Sequence, residues 1–143
     1  MTRNQFEKEN MIPLFRNAEN VKFVTEALFG ATNEPFGTSY SSRHTNPKYM
    51  FAGKTGTSQV RKFTEEQREL KIKYTDLPYE QRDHALFTGF FPYKKPRYAI
   101  SVLIEHGGSG SSVAAPIAKK VIKKVIDRHE ERASLQGEIY KEI

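Results

Sequence analysis

Two strand-forming runs, HALFTGFFPY at 84–93 and RYAISVLIEH at 97–106, stand three residues apart and restrict the fold more than any other feature of the chain. The first is aromatic and apolar and the second is rich in β-branched residues, as a pleated and largely buried backbone prefers. Lys94-Lys95-Pro96 supplies a tight reversal between them, so they form an antiparallel hairpin. The run GGSGSS then breaks the chain before a long helix predicted from Ser112 to Arg132. Pro116 falls in its first turn, where a missing N–H costs little. Ile117, Val121 and Val125 recur every four residues with Ile122 and Ile126 beside them, giving one apolar stripe with lysines opposite.

Upstream of the hairpin, residues 1–18 read as an irregular lead-in arm. A helix is predicted from Glu19 to Phe29, with Val21, Val24 and Leu28 on one face and Gly30 as C-cap. EPFGTSYSSRHTNPKY is a loop by composition. A strand is predicted from Tyr49 to Val60, followed by a polar excursion from Arg61 to Asp83 in which Thr64 and Gln67 can form a capping box. Residues 133–143 are a tail. The expected fold class is α+β: a three-stranded antiparallel sheet flanked by an N-terminal and a long C-terminal helix. Such a sheet has open edges, so further strands or self-association through an edge are expected.

Composition excludes some functions. With 143 residues the chain suits one domain with a modest core. It has no cysteine, hence no disulfide or thiolate metal site. No apolar run is long enough to span a membrane, and the polar MTRNQFEKEN is no secretory leader. The net charge of +6 concentrates in AKKVIKKVIDR at helical spacing, which reads as a solvated helix face rather than a nucleic-acid surface.

The stretch YMFAGKTGTSQV at 49–60 carries the chemistry. Gly53-Lys54-Thr55 matches the end of a phosphate-binding loop, but the leading glycine should fall at position 48, which is lysine. A helix should follow, and Gly56 and Thr57 oppose one. As a strand the stretch makes better sense. Thr55 and Thr57 point one way and Lys54 and Gly56 the other. Two hydroxyls on one side can hold a carboxylate, and the lysine adds positive potential. Gly56 removes bulk so that another backbone can approach, and an edge here can receive an extended peptide. The Thr57 N–H can serve as one half of an oxyanion hole.

Lys-Thr-Gly is also the third element of penicillin-binding and serine β-lactamase sites. FAGKTGTSQV, RDHALFTGFFP and RYAISVLIEHGGSGSSVAAPIAKKVI, in this order and spacing, resemble the C-terminal part of the penicillin-binding protein 2 family, the class B transpeptidases of bacterial cell elongation. ENVKFVTEALFGATNEPFGTSY is similar to that family's helix and loop before the Lys-Thr-Gly strand, so the likeness covers nearly the whole chain, Val21 to Asp127. The resemblance implies part of a serine D,D-transpeptidase that attacks D-Ala-D-Ala of a peptidoglycan stem peptide and is trapped by β-lactams. It implies that Thr55 and Thr57 hold the substrate or drug carboxylate, with Gly56 between them. Lys54 would steer that anion and bond the serine of a second motif, and the Thr57 N–H would complete the oxyanion hole. It further implies elongation machinery as partner, a parent anchored in the inner membrane with this domain in the periplasm, and no cofactor or metal.

The nucleophile motif Ser-x-x-Lys is absent from this sequence, as is Ser-x-Asn. Thr45-Asn46-Pro47-Lys48 has related spacing, but Pro47 makes a poor helix interior. The expectation is therefore a truncated domain that neither transpeptidates nor reacts with penicillin alone. Asp83-His84 and Glu105-His106 should meet at one end of the hairpin, although no ligand spacing supports a metal there. Gly107, Gly108 and Gly110 lack dinucleotide-loop spacing and read as a hinge. By the resemblance, the 61–83 excursion flanks the cleft and is mobile. The rival readings are a D,D-carboxypeptidase or β-lactamase on the same scaffold, and a non-catalytic module using the basic helix at 113–128.

Overall fold

The structure, a computed structural model, describes residues 17–62, 65 and 73–139. Most of the arm and the Thr64/Gln67 capping box lie outside the described residues. Helix α1 spans Ala18–Asn33 and starts where Asn17 caps it, its Oδ1 accepting from the Glu19 N–H at 2.8 Å. The expected stop at Gly30 is corrected: the helix runs one turn further to a C-cap at Glu34, whose N–H bonds the Gly30 carbonyl. Tertiary bonds hold that extra turn. Thr32 Oγ1 donates to the Gly53 carbonyl at 3.2 Å and Asn33 Nδ2 to the Phe51 carbonyl at 2.9 Å. Val24, expected on the apolar face, is 54% exposed; Leu28, Phe29 and Thr32 face inward.

Strand β1 spans Ala52–Ser58, β2 His84–Phe91 and β3 Tyr98–Ile104. They form one antiparallel sheet in the order β1-β2-β3. Strand β1 begins later than Tyr49 because Pro47–Tyr49 makes a single 3-10 turn capped by Asn46. The hairpin reverses over 92–97, closed by the Arg97 N–H on the Phe91 carbonyl at 3.1 Å. Directly opposed residues share a face. Ala85, Phe87 and Phe91 therefore look the same way as Ile104, Val102 and Tyr98.

That face is covered by helix α2, Ala115–Ile139, which follows a π-turn at Gly110–Ala114. Residues 133–139 continue this helix. The core joins Phe51, Ala85, Phe87 and Phe91 of the sheet side to Ala114, Ala115, Ala118, Ile122 and Ile126. Phe51 and Phe87 meet edge to face at 5.7 Å.

The expected stripe on α2 is corrected in its position around the helix. Ile117 and Val121 remain 37% and 42% exposed, while Ala118, Ile122 and Ile126 are buried. Small residues at 114, 115 and 118 let the helix axis approach the Phe87 side of the sheet. The seam then rotates by about one residue, some 100°.

Candidate active site on the edge of β1

The register places Lys54 opposite Thr88, Thr55 opposite Phe87, Gly56 opposite Leu86 and Thr57 opposite Ala85. The two threonines thus share the α2 side of the sheet, and Lys54 and Gly56 the other, as the alternation predicted. Positions 54–57 are extended, which excludes a phosphate-wrapping turn.

Backbone direction follows from the bonds at either side. Phe51 and Gly53 offer their carbonyls to α1, whereas the Met50 carbonyl takes the Tyr93 N–H beside β2. Odd-numbered residues of this segment therefore direct their polar groups away from β2. Alternation carries the pattern to Thr55 and Thr57, so their N–H and C=O groups line the free edge of β1. The edge is covered by α1 only up to Gly53. Beyond it, Thr57 is exposed and Thr55 half-exposed.

One further hydroxyl reaches this edge. Thr38 Oγ1 lies 3.2 Å from Thr55 Oγ1. In the sequence Thr38 belongs to a loop, and its hydroxyl-rich GTSYSS setting is the one signal that points to it. Lys54 Nζ donates to the Thr55 carbonyl at 2.8 Å, so within this chain it meets backbone rather than a hydroxyl.

Two glycines shape the strand differently. A Cβ on Gly56 would touch only Leu86 Cβ, at 3.4 Å, so its surface is open toward anything approaching from outside. A Cβ on Gly110 would lie 2.5 Å from the Leu86 carbonyl oxygen and 2.6 Å from that of Gly56. The π-turn before α2 is thus seated directly on the Lys-Thr-Gly segment, and only glycine fits there.

The remaining candidates have structural occupations. Asp83-His84 and Glu105-His106 do meet at one hairpin end. His84 Nδ1 accepts the His106 N–H at 3.0 Å, His106 Nδ1 donates to the Arg82 carbonyl at 3.0 Å, and the rings meet at 4.9 Å. Among the described residues no group of three or more acidic, histidine or cysteine side chains could hold a metal. Asp83 also closes the excursion, accepting the Val60 N–H at 3.1 Å. Part of that excursion lies outside the described residues.

Thr45-x-x-Lys48 is no catalytic pair, because Lys48 donates to Glu130 and lies 3.7 Å from Asp127. Asp127 also accepts from Lys123 at 2.5 Å and from the Tyr49 hydroxyl at 2.6 Å. These two bonds, that of Lys123 foremost, push the Asp127 carboxyl down to about 2, and Glu130 raises the Lys48 ammonium. The network ties the 43–50 loop to α2.

This arrangement matches known proteins. The family model of the penicillin-binding protein transpeptidase domain matches residues 14–123. Peptidoglycan D,D-transpeptidase MrdA of Salmonella typhimurium is 41% identical over 104 residues, which are 73% of this chain and 16% of that protein. MrdA of Haemophilus influenzae is 38% identical over 95 residues, 66% of this chain and 14% of that protein. PBP2 from Helicobacter pylori, in complex with MreC, superposes with a TM-score of 0.62 at 32% identity, over 76% of this chain and 17% of that one. Pseudomonas aeruginosa PBP2, in complex with WCK 5153, gives 0.59 at 33% identity over 78% and 20%. The chain spans about a sixth of the length of the curated relatives it matches, and its sheet and helices follow their fold. With the Lys-Thr-Gly strand in place, the family match makes this chain a member of the penicillin-binding protein transpeptidase domain family.

Proposed function

We propose that this chain supplies the substrate-binding strand of a peptidoglycan D,D-transpeptidase of the penicillin-binding protein 2 type. The observation that carries the reading is the free edge of β1, where the Thr55 and Thr57 hydroxyls share one side and the Thr57 N–H faces outward. A stem peptide ending in D-Ala-D-Ala, or a β-lactam, lies along that edge with its carboxylate on the two threonines. Lys54 adds positive potential, and Gly56 leaves the strand surface clear.

In the reaction a serine outside these residues attacks the penultimate carbonyl. The C–N bond to the last D-Ala breaks, the acyl group stays on the serine, and the proton leaves with the amine. An amine of a second stem peptide then takes the acyl group. Each tetrahedral intermediate carries an oxyanion, to which the Thr57 N–H donates. Cell-elongation machinery is the proposed partner, in line with the MreC complex of the H. pylori relative. The whole protein is proposed to be anchored in the inner membrane with this domain in the periplasm; among the described residues no helix is long and apolar enough to cross a membrane.

A fluorescent penicillin tests the reading in two arms. The chain as given, lacking Ser-x-x-Lys, should show no covalent label after denaturation. A protein that joins this segment to a Ser-x-x-Lys nucleophile should label, and Thr55→Val or Thr57→Val should slow acylation by about 10–100-fold, the worth of a hydrogen bond to a charged group. A saturable serine adduct on the chain alone, or undiminished labelling in both variants, would overturn it.

A further inference from the structure

A hydroxyl from outside the strand, that of Thr38, reaches the pair of threonines on β1. Its Oγ1 lies 3.2 Å from Thr55 Oγ1, and either oxygen can donate. Thr38 itself is exposed, so burial does not hold it there. Its two neighbours do. Gly37 packs so closely on the end of α1 that a Cβ would stand 2.4 Å from the Gly30 carbonyl oxygen and 2.5 Å from that of Ala31. Ser39 is fully buried and gives both its N–H and its hydroxyl to the Ala31 carbonyl, each at 3.1 Å. The same turn of α1 is bonded to the strand, from Thr32 to the Gly53 carbonyl. Thr38 is therefore carried on a bracket that leaves the strand at Gly53 and meets it again at Thr55.

The direction of the Thr38–Thr55 bond follows from the chemistry of the ligand. A hydroxyl has one proton to donate and two lone pairs with which to accept. A carboxylate only accepts. A Thr55 hydroxyl that holds one has given its proton to it, and its oxygen can then only accept. Thr38 becomes the donor. The separation is long for two hydroxyls. However, an oxygen whose proton is drawn to an anion is the stronger acceptor, and bonds in such a chain reinforce one another. Without Thr38 the Thr55 hydroxyl rotates freely, and its proton has to be turned toward the anion at the moment of binding.

We propose that Thr38 is a positioning residue: its hydroxyl donates to Thr55 Oγ1 and so aims the Thr55 proton at the carboxylate of the stem peptide or β-lactam. The inference rests on the reading of the β1 edge as the site of that carboxylate. Thr38 acts through Thr55 and not by touching the ligand, which sets its role apart from those of Thr55 and Thr57.

The test uses the protein that joins this segment to a Ser-x-x-Lys nucleophile and follows the second-order rate of acylation by a fluorescent penicillin. Thr38→Val keeps the shape and removes the hydroxyl. It should slow acylation by about 3–10-fold, the worth of one neutral hydrogen bond, and by less than Thr55→Val does. Thr38→Ser keeps the hydroxyl and should stay within about twofold of the parent. On the Thr55→Val background, Thr38→Val should change the rate less than about twofold, because the group it aims is gone. An equal loss in Thr38→Ser would make the effect one of loop structure, and an undiminished loss beside Thr55→Val would make it one of direct contact; either overturns the proposal. If Thr55→Val is slow and Thr38→Val is not, this inference falls and the reading of the β1 edge stands. A Thr55→Val rate equal to the parent's takes Thr55 out of the site and overturns this inference as well; with Thr57→Val also unslowed, the reading of the edge fails.

Discussion

Replacing Gly110 by alanine should unseat the Lys-Thr-Gly strand, and the size of the effect follows from the geometry. The new methyl would sit 2.5 Å from the Leu86 carbonyl oxygen and 2.6 Å from the Gly56 carbonyl oxygen. Ordinary contact needs roughly 1 Å more, and both neighbours are backbone atoms held by ladder hydrogen bonds, so neither can rotate aside. Either the π-turn lifts from the sheet or β1 and β2 separate. Overpacking of this kind costs about 2–3 kcal/mol. At an unfolding entropy of about 2.1 cal/mol/K per residue, the 143-residue chain should then melt about 7–10 °C lower. Gly56→Ala is the matched control: its methyl would meet only Leu86 Cβ at 3.4 Å, and stability should stay within about 0.5 kcal/mol. Thermal unfolding followed by circular dichroism measures both. A Gly110→Ala melting temperature equal to that of the parent, or a larger loss in Gly56→Ala, would refute the seating of the π-turn on β1.

Three more outcomes are expected. Thr32→Val keeps the shape of a fully buried side chain but leaves the Gly53 carbonyl without its 3.2 Å donor; chemical denaturation should register a loss of about 1–2 kcal/mol. The Asp127 carboxyl is held at about 2, below its ordinary 3.8, so the stability it lends is complete above about 4 and disappears as pH falls toward 2; Asp127→Asn should flatten that part of a melting-temperature profile, and Tyr49→Phe should raise the Asp127 value seen by NMR. Burial lowers the His44 pKa below 6.5, against the 3.0 Å bond its ring donates to the Lys119 carbonyl. Its contribution is therefore complete above pH 6.5 and declines as pH falls, and His44→Gln should remove that decline in the same profile.

Local chemistry made much of this protein legible in its residues. The hairpin followed from two strand runs around a short polar turn, and the placing of Thr55 and Thr57 against Lys54 and Gly56 followed from the two-residue period of a strand. The Asp83-His84 and Glu105-His106 encounter was a consequence of antiparallel pairing alone. The order and spacing of the motifs also resemble those of the transpeptidase family in the sequence alone.

Tertiary structure decided what periodicity leaves open. Helix α2 carries two adjacent apolar rows, and only docking against Phe51 and Phe87 chose Ala118, Ile122 and Ile126 over Ile117 and Val121. Helix α1 passes Gly30 because Thr32 and Asn33 find the carbonyls of Gly53 in β1 and of Phe51 just before it, about twenty residues away. Those same bonds reveal which edge of β1 is free, and so where the Thr57 N–H points. The approach of Thr38 to Thr55 arises from chain segments brought together by folding. Sequence spacing specifies which face of an element a side chain occupies, but the partner on that face is set by how the elements pack.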